Sequence, residues 1–488
     1  MSQEIKFGTD GWRAVIGDEF TFKNLERVAQ AVCDVVRKSS KKRLILVGYD
    51  NRFFSLRFAE TVGRVAQGNG FKVELSTEPL GSPVLSFAVK ERKAAIGFMI
   101  TASHNPSQFN GFKLKGPEGG SVNSNFTRLV EEKMEAADIK IKMAPLKKYD
   151  FSKSYFKFIR QHVKLNLLGG LKSPVIFDPM HGPGGKFLEE FLSHKGKIQI
   201  INGDPDPLFG GINPEPIENN LRRLKERVKE KKASAGFALD GDSDRLGVVD
   251  ENGRFLPPHT VMPLLLLHLL ENRKLKGKVI QTVSMGYLPQ RIAKNFNAPF
   301  EEVPVGFKNI AAKMHVEKVL LGGEESGGYG IGLWFPERDG ILCALLLMEL
   351  MAMKKQPLSL LVDDLHKRFG ASHFKRVDFS LPQPVDTNEW VNRIVAHVGP
   401  SVGGKPVKTL NTMDGVKIVL EDDSWVLMRP SGTEPLIRTY SESPASQTIT
   451  DLLIEADKWV HLQPEPPKKT QKGSAKKRKE KLKSARLK

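Results

Sequence analysis

Short apolar runs alternate with longer segments of helical periodicity along the first part of the chain. The apolar runs at 43–49, 72–76 and 94–100 predict strands, whereas residues 25–37 and 56–69 repeat apolar side chains at the three- and four-residue spacing of helices. Parallel strands are joined by crossover helices, so this alternation predicts an α/β fold with largely parallel sheets.

The alternation continues after a polar segment at 140–154, which predicts a first domain boundary. A second boundary is expected near residue 255, where two prolines precede a helical pattern. The elements predicted between residues 151 and 370 are helices at 151–166, 260–271 and 341–353, the last capped by Asp339, and strands at 174–178, 197–201, 235–239, 279–282 and 319–322.

Beyond residue 370 the pattern becomes strand-rich, with fewer helices. Strands are predicted at 374–381, 416–420 and 424–428, and helices at 387–397 and 448–460. The fold class predicted is therefore three α/β domains with mixed sheets and a smaller C-terminal α+β domain. The predicted domains are 1–150, 151–254, 255–370 and 371–462, followed by a tail at 463–488.

Composition and charge narrow the class of protein. The 488-residue chain has a formal net charge of +19, and eleven of its basic residues lie between Lys468 and Lys488 against the single acid Glu480. This tail has almost nothing to bury, which predicts disorder and at most non-specific contact with nucleic acid. Cys33 and Cys343 lie in apolar helical patterns, and the longest apolar runs are too short to span a bilayer, so we expect a cytoplasmic protein without membrane partners.

A possible nucleophile stands where the third apolar run ends. Residues 101–106 place Ser103 beside His104 just after this predicted strand, and loops at strand exits of α/β proteins commonly carry chemistry. The alternative is that Ser103 and the Asn-Pro pair after it only build a turn.

Three carboxylates alternate along residues 240–245, directly after another predicted strand. Asp240, Asp242 and Asp244 supply hard oxygen ligands without His or Cys, a set that suits Mg²⁺. A calcium-binding EF-hand loop is a poorer match because Arg245 stands where that loop needs glycine. A solvated acidic loop without metal is the remaining alternative.

Two further loops carry groups suited to a phosphorylated sugar. Residues 322–328 combine glycines with Glu324 and Ser326, whose oxygens can bond sugar hydroxyls. Residues 429–435 combine arginine, two hydroxyls and glycine, with Arg438 beyond them, which is a donor set typical of phosphate binding.

Together these four loops resemble the α-D-phosphohexomutase superfamily, which includes phosphoglucomutases and phosphomannomutases. Each motif occurs once, in the family's order and one per predicted domain, and the resemblance extends to about His461. Supporting motifs lie at 7–13, 49–52, 110–113 and 304–308. The resemblance implies four domains around a central cleft.

The resemblance also implies a role for each loop. Ser103 is expected to be a phosphoserine, and one Mg²⁺ ion is expected on Ser103, Asp240, Asp242 and Asp244. The acid/base is expected to be Lys113, placed ahead of His104 because crowding by cations would lower its pKa. Arg13 and Arg245 are expected to be catalytic residues near the phosphates. Substrate is expected to contact Gly306, Lys308, Glu324, Ser326, Arg429, Ser431, Gly432, Thr433 and Arg438.

The implied reaction interconverts glucose 1-phosphate and glucose 6-phosphate through a bisphosphorylated hexose, which is both intermediate and activator. Alternatives within the family are dual use of mannose phosphates and, less favoured, a phosphoglucosamine mutase. Outside it stand a metal-dependent phosphatase and a non-catalytic binder of sugar phosphates. A monomer or a dimer is expected.

Overall fold

The computed structural model describes residues 5–8, 10–134, 138–192, 198–431 and 434–462. The predicted basic tail at 463–488 lies outside the described residues. Contacts divide the chain into two compact units, of which the first comprises Met1–Phe374 with Glu442–Ser446 and the second comprises Lys375–Ser441 and the residues from Gln447 onward. The domain boundaries expected from the sequence stay predictions.

A six-stranded mixed sheet opens the first unit, with strand order β1-β5-β4-β2-β3-β6. Its helices bury apolar stripes: Val28 and Val32, one turn apart on α1, are both fully buried, and Thr21 caps this helix. The strands are β1 Trp12–Val15, β2 Leu44–Tyr49, β3 Lys72–Ser76, β4 Ile96–Ile100, β5 Phe109–Lys115 and β6 Lys147–Tyr149, and the helices are α1 Phe22–Ser39, α2 Ser55–Gly68, α3 Ser82–Glu91 and α4 Ser124–Lys133.

Two smaller mixed sheets follow in the same unit, with orders β11-β10-β9-β7-β8 and β13-β12-β14-β15. Their strands are β7 Val175–Asp178, β8 Ile198–Ile200, β9 Ala235–Leu239, β10 Leu246–Asp250, β11 Phe255–Leu256, β12 Lys278–Thr282, β13 Phe300–Val303, β14 Val319–Gly323 and β15 Tyr329–Gly330. Their helices are α5 Ser152–His162, α6 Gly184–Leu192, α7 Arg222–Glu230, α8 Pro258–Leu267, α9 Leu288–Asn295, α10 Phe307–Val316, α11 Gly340–Lys354 and α12 Leu358–Phe369.

The second unit packs two helices with a six-stranded sheet of order β16-β21-β20-β19-β18-β17. Its core includes the fully buried Trp390 and Ile418. The strands are β16 His373–Ser380, β17 Ser401–Val402, β18 Lys405–Asn411, β19 Val416–Leu420, β20 Trp425–Pro430 and β21 Leu436–Ser443, and the helices are α13 Thr387–His397 and α14 Ser446–Val460. The predicted fold class, three mixed α/β sheets and a smaller α+β part, is confirmed.

Some local predictions need correction. Strand β6 lies within the polar segment at 140–154, where no strand is predicted, and pairs in parallel with β3. Strand β5 has no predicted counterpart, although its residues from Asn110 to Lys115 are all buried. Among the described residues no helix is both long and apolar enough to cross a bilayer. Both cysteines are buried and free, as expected.

Two buried carboxylates, Asp339 and Glu349, hold α11 in place. This helix begins next to the site described below. Asp339 caps the helix by accepting from the Leu342 backbone at 2.9 Å. Further along, Glu349 accepts from Arg273 at 2.8 and 2.9 Å, from the Lys164 backbone at 2.6 Å, and lies 3.2 Å from His268 Nε2. Burial alone would raise the pKa of Glu349, but these partners lower it to about 2.

We predict that Glu349→Gln lowers the free energy of unfolding at pH 7 by about 2–3 kcal/mol, because it removes one charge of a buried pair. The folded pKa lies below the ordinary value of 4.5, so this contribution is complete above that pH and is lost as the pH falls toward 2. Urea denaturation at pH 7 and pH 3 measures both effects. Glu132→Gln, in an exposed pair with Arg128, is the control and should change little; a pH-independent loss for Glu349→Gln would contradict the argument.

Candidate active site

The loop at 240–245 joins the antiparallel strands β9 and β10 and brings three carboxylates together. One oxygen from each of Asp240, Asp242 and Asp244 lies within 4.8 Å of the others, and all three side chains are buried. Asp240 Oδ1 accepts from the backbone N–H groups of Asp244 at 2.9 Å and Arg245 at 3.0 Å, which tightens the loop. The predicted convergence of the alternating carboxylates is therefore present in the structure.

Two oxygens of this cluster are left without a donor. No described residue donates to Asp242 Oδ1 or Asp244 Oδ1, although both atoms are buried. Buried carboxylate oxygens without partners are costly, and a hard divalent cation satisfies them. The donor set therefore fits a Mg²⁺-type ion.

Ser103 meets this cluster from the first sheet. Its hydroxyl donates to Asp240 Oδ2 at 2.6 Å, and its backbone adopts a left-handed conformation with φ of 53°. The two loops approach so closely that a Cβ on Gly241 would lie 2.4 Å from the Ser103 carbonyl oxygen. Glycine is thus required at 241 for the serine to reach the carboxylates.

His104 follows the serine and is half-buried. Its Nδ1 is 3.4 Å from Ser103 Oγ. Burial and then the charges of Arg245 and Arg13 hold the pKa of His104 well below its usual range, so the imidazole is neutral near pH 7. Arg13 also donates to Asn105 Oδ1 at 2.8 Å, which ties it to the serine loop.

Lys113 lies among carboxylates rather than cations. From β5 its Nζ reaches Asp242 Oδ2 at 2.7 Å, Asp244 Oδ2 at 3.0 Å and Asp10 Oδ2 at 2.8 Å. Burial favours the neutral amine, but the three carboxylates outweigh it and raise the pKa of Lys113. The expectation that cations lower this pKa is wrong; Lys113 is a fixed positive charge.

The sequence offered no motif for several other charged residues of the site. Arg338, just before the cap of α11, bonds Asp10 Oδ2 at 2.6 Å and Asp244 Oδ2 at 2.8 Å. Lys115 pairs with Glu337, and Ser82 donates to Asp242. Asp10 lies in the motif at 7–13, which was the only available signal. The carboxylate cluster is therefore balanced by cations from distant parts of the chain.

The glycine-rich loop at 322–328 lies beside the aspartate loop. The Leu246 N–H donates to Gly327 O at 2.9 Å, and the backbones of Arg245 and Gly328 pair in an isolated antiparallel β-bridge. Glu324 is buried 3.7 Å from Arg338, and burial, with a contribution from Glu325, raises its pKa to about 7. Ser326 is half-buried.

Three other residues expected near the substrate, Gly306, Lys308 and Arg245, differ in their surroundings. Gly306 has a φ of 117° and precedes α10. Lys308, in the first turn of that helix, lies 3.4 Å from Ser124 Oγ and lines a small crevice with Asp10 and Gly11. Arg245 is drawn to Glu215, with 3.3 Å between Nη1 and Oε1.

The expected phosphate loop belongs to the second unit. Arg429 is the penultimate residue of β20, where its Nε donates to Asp414 at 2.8 Å, and Arg438 on β21 donates to Glu434 at 3.0 Å. Ser431 Oγ accepts from the Glu434 backbone at 3.3 Å, whereas Gly432 and Thr433 lie outside the described residues. The side chains of Arg429 and Arg438 are partly exposed, at 19% and 30%.

Comparison with known proteins agrees with this arrangement. The four successive domain models of phosphoglucomutase/phosphomannomutase match residues 4–140, 153–253, 257–369 and 391–457. A phosphoglucomutase/phosphomannomutase of Thermococcus kodakarensis is 31% identical over 455 residues, 92% of this chain and 96% of its own. A phosphoglucosamine/phosphogalactosamine mutase of Sulfurisphaera tokodaii is 30% identical over 93% of this chain and 98% of its own.

Solved structures show the same architecture. A Thermus thermophilus protein, provisionally designated a phosphomannomutase, superimposes with a TM-score of 0.84 at 33% identity, covering 94% of this chain and all of its own. The fold and its motifs define an isomerase of the α-D-phosphohexomutase superfamily. Within it, the chain belongs to the phosphoglucomutase/phosphomannomutase family.

We predict that mutase activity requires a divalent cation held by the aspartate loop. Chelation should abolish activity and Mg²⁺ should restore it, while Asp242→Asn and Asp244→Asn should each raise the Mg²⁺ concentration for half-maximal rate by more than about tenfold. Rate titrations with Mg²⁺ measure this. The exposed Asp364→Asn serves as control; equal Mg²⁺ requirements in all three variants would argue against this metal site.

Proposed function

We propose that the protein interconverts glucose 1-phosphate and glucose 6-phosphate, with Ser103 as the phosphoryl carrier and a bisphosphorylated hexose as intermediate and activator. The observation that carries the proposal is the 2.6 Å contact from Ser103 Oγ to Asp240, beside two buried carboxylate oxygens that lack donors. A hydroxyl held there lies at the one place where the described residues converge on a cation site.

Asp240, Asp242 and Asp244 would hold Mg²⁺, together with an oxygen of the phosphorylated Ser103. When bound, the ion would withdraw charge from the phosphoryl group being transferred. Lys113 would remain protonated and hold Asp242 and Asp244 in place. Arg13 and Arg245 lie beside His104, where they would attract the anionic substrate.

Proton transfer to and from the sugar hydroxyl is proposed for His104. Its imidazole is neutral and therefore free to accept a proton, and its Nδ1 is 3.4 Å from Ser103 Oγ. Lys113 has the opposite electrostatic setting, because three carboxylates surround its ammonium group.

Glu324 and Ser326 are proposed to bond the sugar hydroxyls. Glu325, between them, is engaged with the protein: it accepts from Ser284 Oγ at 2.5 Å and Thr282 Oγ1 at 3.2 Å. The presence of Glu325 directly after Glu324 favours glucose over glucosamine. In phosphoglucosamine mutases the residue after the corresponding acid is commonly Met or Gln. Dual use of mannose phosphates is the second candidate, favoured by the name of the Thermococcus kodakarensis relative.

Substrate choice is tested by a coupled assay of the 1-phosphates of glucose, mannose and glucosamine, with Mg²⁺ and a trace of the corresponding bisphosphate. We expect the highest kcat/KM with glucose 1-phosphate and loss of turnover in Ser103→Ala, because no other described hydroxyl donates to Asp240. Faster turnover of glucosamine 1-phosphate would refute the glucose assignment. Undiminished turnover in Ser103→Ala would refute the phosphoserine mechanism.

The second unit is proposed to bind the phosphate that does not react, through Arg429, Ser431, Gly432, Thr433 and Arg438. Arg438→Ala should raise KM for glucose 1-phosphate about tenfold or more and lower kcat less, since it removes a charged hydrogen bond to bound substrate. Initial-rate kinetics give both constants. Arg376→Ala, which removes an arginine paired with Asp378 in the same sheet, is the control; an unchanged KM in Arg438→Ala would contradict the role.

A further inference from the structure

The side chain of Arg52 binds backbone carbonyls of the serine loop and contacts none of the atoms that would react. Its Nη2 donates to the carbonyl oxygens of Ser103 and Asn105, each at 2.6 Å. Its Nη1 donates to those of Pro106 at 2.8 Å and Phe109 at 3.0 Å. A single guanidinium, on a side chain that is almost fully buried, thus joins four carbonyls that span the whole turn from the serine to the start of β5.

The guanidinium is itself held on two sides. Its Nε lies 3.2 Å from Asp50 Oδ2, and Asp50 Oδ1 accepts from Ser55 Oγ at 2.7 Å. On another side the carbon of the guanidinium lies 4.7 Å from the ring centroid of Phe209, which is buried. Phe209 belongs to the long connection that precedes α7, and its backbone is left-handed with φ of 54°. A residue from the second predicted domain therefore covers the cation that binds the serine loop of the first.

A neighbouring contact links the same two parts of the chain. Asn51, which directly precedes Arg52 in sequence, donates from Nδ2 to His181 O at 2.7 Å. Consecutive residues of one short segment therefore contact two separate stretches of the second domain. Residues of the second predicted domain therefore hold the segment at 51–52, and Arg52 in turn holds the serine loop through its hydrogen bonds.

We propose that Arg52 is a positioning residue for phosphoryl transfer, and that Asp50 and Phe209 hold it in place. Its four hydrogen bonds keep Ser103 in the left-handed turn that aims Oγ at Asp240. Arginine is needed because its planar fork offers five donors, whereas the point charge of lysine cannot reach four carbonyls at once. This inference rests on the proposed role of Ser103 as phosphoryl carrier.

The proposal separates two kinetic constants. Among the residues that the structure describes, the Arg52 guanidinium contacts backbone carbonyls, Asp50 and the Phe209 ring. Its loss should therefore misplace the serine without removing a substrate contact. Arg52→Ala and Arg52→Lys should therefore lower kcat about 100-fold with KM for glucose 1-phosphate changed less than about threefold. Phe209→Leu should lower kcat by a smaller factor, since it uncovers the guanidinium and leaves its hydrogen bonds.

The experiment uses the full-length enzyme with Mg²⁺ and the bisphosphorylated hexose. Initial rates are measured for the three variants, and thermal melting is followed in parallel. Arg57→Ala, which removes an exposed arginine from α2, is the matched control and should keep the kcat of the parent. Added guanidinium at millimolar concentration should raise kcat of Arg52→Ala and leave Arg52→Lys unchanged, because only the alanine variant leaves space for it.

The outcomes separate the possibilities. A normal kcat in a folded Arg52 variant, or an effect confined to KM, overturns the proposal. If Arg52→Ala does not fold, the Arg52→Lys and Phe209→Leu constants decide in the same way. A purely structural role predicts a lowered melting temperature with no rescue by guanidinium, which also overturns it. Full turnover in Ser103→Ala overturns the phosphoserine function itself, whereas an inactive Ser103→Ala beside a normal Arg52→Lys overturns only this inference.

Discussion

Three buried carboxylates and the half-buried Asp10 share one small volume, and the rest of the site is arranged to make that possible. Asp10, Asp240, Asp242 and Asp244 all contact cations or hydroxyls that come from elsewhere in the chain. Like charges removed from water repel strongly and are tolerated only when paired. Lys113 contacts three of the four, which makes it the main counter-charge of the cluster.

This constraint ties together elements that are distant in sequence. Lys113 reaches the cluster from β5, Arg338 from the residue before the cap of α11, and Asp10 from the segment before β1. The geometry of the three sheets is thus coupled to the charge balance: a shift of β5 would remove a cation, and a shift of α11 would remove the bond from Arg338 to Asp244. Further along α11, the contacts of Glu349 with Arg273 and the Lys164 backbone hold in place the helix that follows Arg338.

The parts of this architecture that the sequence predicts are those with local causes. Strands such as β3, β9 and β19 follow from apolar runs, and α13 follows from its helical pattern. The motif loops were recognisable because each follows such a strand and concentrates one kind of chemistry. Within the first unit, the structure brings the loops of Ser103, the three aspartates and Glu324 close together.

What the sequence does not predict depends on distant partners. Strand β5 contains Asn110, Lys113 and Lys115, which look polar and solvent-exposed, yet each is buried against groups far away in the chain. For the same reason the sequence does not predict the raised pKa of Lys113, because the packing of distant segments determines which carboxylates surround it. Arg52 stood in a recognised motif, but its four carbonyl partners become visible only when the serine loop has its shape.

The glycine-rich loop at 322–328 shows a similar distinction between a motif and its contacts. Relatives of nearly equal identity are named for glucose and mannose phosphates in one case and for hexosamine phosphates in another, so overall similarity does not separate the substrates. The residue after Glu324 distinguishes the motifs, yet Glu325 bonds Thr282 and Ser284. A methionine there would leave these hydroxyls without that acceptor. Glu325 therefore contributes to holding the 322–328 loop, on which Glu324 and Ser326 lie, through its bonds to Thr282 and Ser284.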